Sequence, residues 1–213
     1  MNRRGWTLVE TIVTILVFSL LLLVVFRLLT HSFRQSTALD EHGQITAEAA
    51  RLLAALRNDL EDCMGTGTGS PAQQIRSAMT ADQGGIGFTA LENGNLVPVS
   101  YRLATESRGV IRSRNGITST LCRGLVTRFD AACLTLWTVD GTPIIRRLEA
   151  TTDPALGLAS EARLLSAWFE VTMSFEINRR AQGAPPIRQD FPARVFPVRF
   201  IRALQSSWYR PPP

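Results

Sequence analysis

Very few side chains in this sequence are equipped to make or break bonds. All 23 cationic residues are arginine. No lysine is therefore present to form a Schiff base, grip a nucleotide phosphate or act as a general base. The two histidines, His31 and His42, have no serine or cysteine nucleophile beside them in a recognisable motif. Cys63, Cys122 and Cys133 show neither a CxxC spacing nor the Cys/His spacing of a zinc site. Glu92-Asn93-Gly94-Asn95 is the one local cluster of calcium-type oxygen ligands; it carries little carboxylate charge and reads as a turn. Gly65-Thr66-Gly67-Thr68-Gly69-Ser70-Pro71 has the glycines of a phosphate loop, but it follows a helical pattern and precedes no clear one. It reads as a helix stop. Asp59, Glu61 and Asp62 read as the solvated face of a helix. The chain is thus expected to be no enzyme, with no catalytic residue, no metal and no cofactor.

The carboxylate that stands out is Glu10, because of what surrounds it. Thr11 to Phe26 is a run of 16 residues without a charge. With Leu8, Val9, Leu28 and Leu29 it reaches the roughly 20 apolar residues that a membrane-spanning helix needs. Arg27 lies near one end, where its long stem can reach the headgroups. Arg3 and Arg4 precede the run, which places the short N-terminus in the cytoplasm and sends everything after Arg27 across the membrane. A secretory signal has a shorter apolar core and a small-x-small cleavage site. Leu28-Leu29-Thr30-His31-Ser32 offers no such site. A carboxylate inside this run costs up to ~2.5–3.5 kcal/mol at a helix centre, and less near an end. Thr7-Leu8-Val9-Glu10 fits a capping box, and a negative charge suits a helix N-terminus.

Gly5-Trp6-Thr7-Leu8-Val9-Glu10, after a basic leader and before a long apolar helix, resembles the type IV prepilin cleavage and methylation motif. The resemblance implies that a membrane prepilin peptidase/methylase cuts between Gly5 and Trp6 and methylates the new terminus at Trp6. It makes Glu10 the assembly carboxylate, pairing with the terminal ammonium of a neighbouring subunit. Trp6 departs from the usual phenylalanine or methionine while remaining bulky and apolar.

Helical spacing continues to Leu52, Leu53, Leu56, Leu60, Cys63 and Met64, with no proline before Pro71. An unbroken helix from Trp6 to Met64 would measure ~88 Å at ~1.5 Å per residue. Its weak point is Asp40-Glu41-His42-Gly43, where glycine costs ~1 kcal/mol in a helix interior. Short strands follow: Val97, Val99, Tyr101 and Leu103 alternate, as do Phe169, Val171, Met173, Phe175 and Ile177. Further strands are expected at Ile86–Leu91, Val110–Arg114, Leu134–Val139, Ile144–Leu148 and Val195–Arg202, with turns at 92–95, 140–141 and 183–186. The pattern predicts an α+β fold, with antiparallel sheet packed on the outer half of a long N-terminal helix. The expected divisions are leader 1–5, membrane half 6–29, amphipathic half 30–64, linker 65–85, β-rich globular domain 86–210 and tail 211–213, with 72–85 read as a linker or a loop with a short helical piece.

The globular part is similar to the J-type minor pseudopilins of type II secretion, with the PilW-like minor pilins close behind. The stretches that carry this are Leu52–Leu60, Val99–Leu103 leading to Gly109–Arg112, and the apolar run ending in Trp137 before Asp140-Gly141. The resemblance implies an inner-membrane subunit with a periplasmic domain. Its partners would be other minor subunits and the major subunit, in a tip complex that primes assembly. The reading from another class is a membrane-anchored periplasmic enzyme or binding domain.

In an oxidising compartment Cys122 and Cys133 could close a disulfide loop, and three buried thiols are the plain alternative. The formal net charge is +5, with basic stretches at Arg108, Arg112, Arg114, Arg123 and Arg128 and at Arg179, Arg180 and Arg188. No aromatic stacking residues are interleaved with them, so nucleic acid is not expected as a partner. Of the 41 charged residues, only Arg3, Arg4 and Glu10 precede Arg27. The low charged fraction of 19% reflects one apolar segment, followed by an ordinary globular sequence.

Overall fold

The computed structural model describes residues 8–65, 71–82, 84–148, 163–178 and 185–208. Helix α1 spans Leu8–Glu61, and helical structure continues through Gly43. The chain divides into two compact units, 1–44 and 45–213.

In the first unit the described residues are helical throughout. In the second, the remaining turns of α1 bury Ile45, Ala49, Leu52, Leu56 and Leu60, a stripe at three- and four-residue spacing. Helix α2 (Pro71–Ala78) and strand β1 (Met79–Asp82) follow. The span expected to be a linker is therefore folded from residue 71, and Ile75 and Met79 sit in the core. The short helical piece expected there is α2, whereas β1, with four residues, is too short to show a period.

Five strands form the first sheet in the order β1-β2-β3-β4-β5, with β2 at Gly85–Glu92, β3 at Asn95–Ala104, β4 at Gly109–Arg114 and β5 at Ile117–Leu121. The second sheet runs β7-β6-β8-β9, with β6 at Val126–Val139, β7 at Thr142–Arg147, β8 at Arg163–Ile177 and β9 at Ile187–Val195. All the strand pairings are antiparallel. Hairpin turns fall at Asn93-Gly94 and Asp140-Gly141, where both central residues have positive φ (51° and 82°, 51° and 79°). That conformation matches strand twist and favours Asn-Gly and Asp-Gly. Together these elements form the expected α+β architecture of a long N-terminal helix with antiparallel sheets.

The inner faces of the sheets meet where Phe88 stacks on Tyr101 (6.4 Å) and tilts against Phe169 (6.3 Å). After α1 the chain lies along β2: Cys63 bridges to Ala90, and the Met64 N–H donates to the Thr89 carbonyl at 3.0 Å. Val195–Arg202, expected as one strand, is instead the end of β9 followed by helix α3 (Val198–Trp208). Pro197 cannot donate to a ladder but suits a helix start, and its carbonyl accepts from the Ile201 N–H at 3.0 Å. Phe200, Ile201 and Leu204 then turn inward with helical spacing.

Candidate functional site

The residues singled out by the sequence lie at opposite ends of α1. Gly5 and Trp6, together with Thr7 of the capping box, lie outside the described residues. Glu10 falls in the first turn of α1 and is exposed. There the partial positive charge of the unpaired backbone N–H groups favours a carboxylate. Around and beyond it, every large apolar side chain from Leu8 to Leu29 is 49–79% exposed. An 18-residue window of this helix reaches a mean hydropathy of 2.9 with none of it buried. The helix is long and apolar enough to cross a membrane.

Four of its hydroxyls fold back on its own backbone. Thr14 donates to the Glu10 carbonyl (2.7 Å), Ser19 to Ile15 (2.8 Å), Thr30 to Phe26, and Thr37 to Phe33 (2.9 Å). Each hydroxyl is thereby satisfied without water, as an apolar surrounding requires. What Leu8 to Leu29 presents outward is hydrocarbon, with a carboxylate near its start and Arg27 near its end.

At the other end, Asp59 departs from the sequence reading. It is 3% exposed, and its carboxylate is saturated. Oδ2 accepts from the Tyr101 hydroxyl (2.5 Å) and Arg112 Nε (2.7 Å); Oδ1 accepts from Arg112 Nη2 (2.7 Å) and Arg114 Nη1 (2.9 Å). Arg112 therefore makes a two-pronged fork on the carboxylate. Tyr101 on β3 and Arg112 on β4 are register partners, and Arg114 follows two residues along on the same face. Burial alone would raise the Asp59 pKa, but the bonds from Arg112, Tyr101 and Arg114 outweigh it and hold the carboxyl below the usual range. Tyr101 is pushed upward by burial and by the Asp59 carboxylate. The arrangement holds charge in place and has no mobile proton to offer. It pins the last turns of α1 to the first sheet.

A signal for this was present in the sequence. Asp59 lies three residues after Leu56 and four before Cys63, on the buried stripe, where a carboxylate demands cationic partners. Glu61 and Asp62 are less buried, and Asp62 receives Arg114 at 3.5 Å and Arg199 at 3.7 Å.

The basic stretches are largely spent on internal pairs. Besides Arg112 and Arg114, Arg108 pairs with Glu176 (3.1 Å), Arg128 with Asp130, and Arg188 with Glu176 (2.6 Å). Glu176 is accordingly held below its ordinary pKa, by Arg188 first and Arg108 next. Arg179 and Arg180 lie outside the described residues. Glu92 and Asn95 flank the hairpin turn, and Glu92 receives Arg114 at 3.4 Å. No group of three or more potential metal ligands gathers among the described residues.

The three cysteines are free, buried thiols, and Cys122 and Cys133 are not joined. The Cys122 thiol donates to the Glu48 carbonyl of α1 (3.3 Å), whereas Cys133 faces inward from β6, beside Cys63. Cys122, in the bend after β5, and Cys133, on β6, meet different neighbours, which the number of residues between them could not reveal. Burial pushes all three up to about 12, with the neighbouring Cys133 adding to the effect at Cys63 and Glu48 at Cys122.

No family model, curated protein or solved structure matches the chain. A functional reading therefore stands on the residues themselves.

Proposed function

We propose that this protein is a minor, non-enzymatic subunit of a type IV filament-like machine, a J-like pseudopilin of type II secretion. The observation that carries the reading is Gly5-Trp6-Thr7-Leu8-Val9-Glu10 standing directly before an uncharged apolar run. The outward-facing hydrocarbon of α1 and the separate folded unit behind it support the same division of labour. A peptidase/methylase removes residues 1–5, and the segment 6–29 anchors the chain in the inner membrane, with the globular domain in the periplasm. In that low-dielectric setting a carboxylate is costly, and the Trp6 ammonium of a neighbouring subunit neutralises Glu10. The pairing drives incorporation beside other minor subunits, in a tip complex that primes polymerisation of the major subunit.

The intact mass of the protein purified from its native membrane tests the first step. A chain beginning at Trp6 supports the reading; one retaining Met1–Gly5 in cells with an active prepilin peptidase overturns it. Glu10→Ala tests the second step, leaving cleavage intact while abolishing filament incorporation. A deletion strain assigns the machine, since loss of secreted enzymes indicates type II secretion. Loss of twitching with normal secretion indicates a PilW-like pilin instead.

A further inference from the structure

A groove of about 540 Å³ opens between the outer end of α1, the end of β9 and the first turns of α3. Its walls carry Arg57, Arg194, Arg199 and Arg202, against a single lining carboxylate, Glu61. Its floor is apolar, with Phe196 45% and Val198 49% exposed. Phe196 is held in place by Trp168, at a ring distance of 5.8 Å. The size is that of a ligand or peptide pocket.

The charge in this groove is only partly compensated. Arg194 meets Glu170 at 3.3 Å and Arg199 meets Asp62 at 3.7 Å, with both guanidinium side chains well exposed. Arg57 and Arg202 have no ion-pair partner among the described residues. Arg199 and Arg202 are three residues apart on α3, a spacing at which like charges repel. The contrast with the rest of the domain is direct, because Arg108, Arg112, Arg114 and Arg188 each have a close carboxylate. An excess of guanidinium groups around an apolar floor fits carboxylates flanking an apolar side chain.

We propose that this groove docks an acidic segment of another protein, with Asp or Glu side chains meeting the arginines and an apolar residue seated on Phe196 and Val198. The planar forks of arginine suit carboxylates, and the floor favours a peptide over a bare polyanion, which has no side chain to bury. The inference does not rest on the filament reading, since every residue involved belongs to the unit 45–213.

The test uses the full chain in a non-ionic detergent and fluorescence anisotropy of a labelled peptide, Gly-Asp-Glu-Leu-Asp-Glu-Phe-Gly. A second peptide has every Asp and Glu replaced by Asn and Gln. The acidic peptide is expected to bind and the neutral one not to. The Arg57→Ser/Arg202→Ser double variant should weaken binding about tenfold, and Val198→Ser should weaken it severalfold. Restoring charge with Arg57→Lys/Arg202→Lys should recover part of the loss, which a folding defect would not allow. Equal binding by the variants and the parent overturns the proposal, as does loss with Arg57→Ser/Arg202→Ser that leaves Val198→Ser unaffected. Tighter binding of polyphosphate, or of vesicles containing phosphatidylglycerol, with the same arginine dependence also overturns it in favour of an anionic polymer or lipid. Concentration-dependent self-association in sedimentation that the double variant abolishes overturns it in favour of a second copy.

Discussion

Asp59 shows how one side chain can decide a domain's behaviour. Its carboxylate joins α1 to two strands through four hydrogen bonds, three of them from arginine. Replacing it with alanine strands Arg112 beside the core and leaves Arg114 only its looser pairs with Asp62 and Glu92. Breaking a buried pair in this way should cost about 3 kcal/mol. Asp62→Ala removes only looser, more exposed pairs and should cost under about 1 kcal/mol. Thermal unfolding of both variants in detergent, followed by circular dichroism, checks the contrast. The pH dependence has a definite sign. Because the folded state holds Asp59 below its unfolded value of about 3.9, its contribution is complete above that pH and fades as pH falls through the lower folded value. The stability gap between the parent and Asp59→Asn should therefore be constant from neutrality down to about pH 5 and narrow below about pH 4. A gap that widens on acidification would contradict the structure. The thiols offer a second residue-scale check. With Cys63, Cys122 and Cys133 all pushed up to about 12, almost no thiolate exists near neutral pH. An aromatic disulfide reagent should react slowly with the native chain, and guanidinium should release three titratable thiols. Fewer than three would reveal a disulfide.

At the scale of elements, the sequence was legible wherever a hydrophobic period ran long enough to be unambiguous. The α1 stripe, the alternation of β3 and that of the second half of β8 each repeat an apolar residue on one face, and each became the expected element. The edge strands were harder, because one or both of their faces stay in water. Nearly all of β5 is exposed, so it has no apolar alternation to show. In β9, Arg188 and Arg194 sit opposite Glu176 and Glu170, a ladder of charges that reads locally as a loop. Pro192 adds to that impression, yet an edge strand tolerates it. For α3 a β-branched start disguised a helix whose spacing appears only at Phe200, Ile201 and Leu204. Asp59 was misread although its place on the apolar stripe was visible, because the partners that make a buried carboxylate tenable come from strands more than forty residues away. At the candidate site, Glu10 was legible because its charge contradicts its neighbourhood, whereas the arginine groove is assembled from three elements and has no sequence signature. Gly43 supplies an element-scale prediction. A Cβ built there meets nothing within 4 Å, so Gly43→Ala fits without strain. Removing glycine's entropy cost should stabilise the surrounding helix by about 1 kcal/mol. Amide exchange at residues 40–46 should slow about fivefold.

For the whole molecule, the two units make opposite demands on solvent. Residues 45–213 bury a continuous core of their own, from Ile45 on α1 to Leu204 on α3. Within 1–44, the run from Leu8 to Leu29 turns hydrocarbon outward on all sides, with the Thr14 and Ser19 hydroxyls already bonded to the backbone. Water disfavours such a surface by roughly 25 cal/mol per Å² of apolar area, whereas lipid accepts it without penalty. A charge placed in the middle reverses that preference. Phe18→Arg should cost about 3 kcal/mol of insertion, shifting much of the protein from the carbonate-resistant membrane pellet to the extract. The orientation proposed above adds a sharper requirement, because Arg3 and Arg4 precede the apolar run and the next positive charge is Arg27, just beyond it. Protease added to intact spheroplasts should then digest the globular unit and leave a short N-terminal fragment protected by the bilayer. In inverted inner-membrane vesicles the globular unit should survive the same treatment. The reverse pattern would place that unit in the cytoplasm, where a pseudopilin could not work. It would overturn the assembly role while leaving the docking groove, which depends only on the folded unit, untouched.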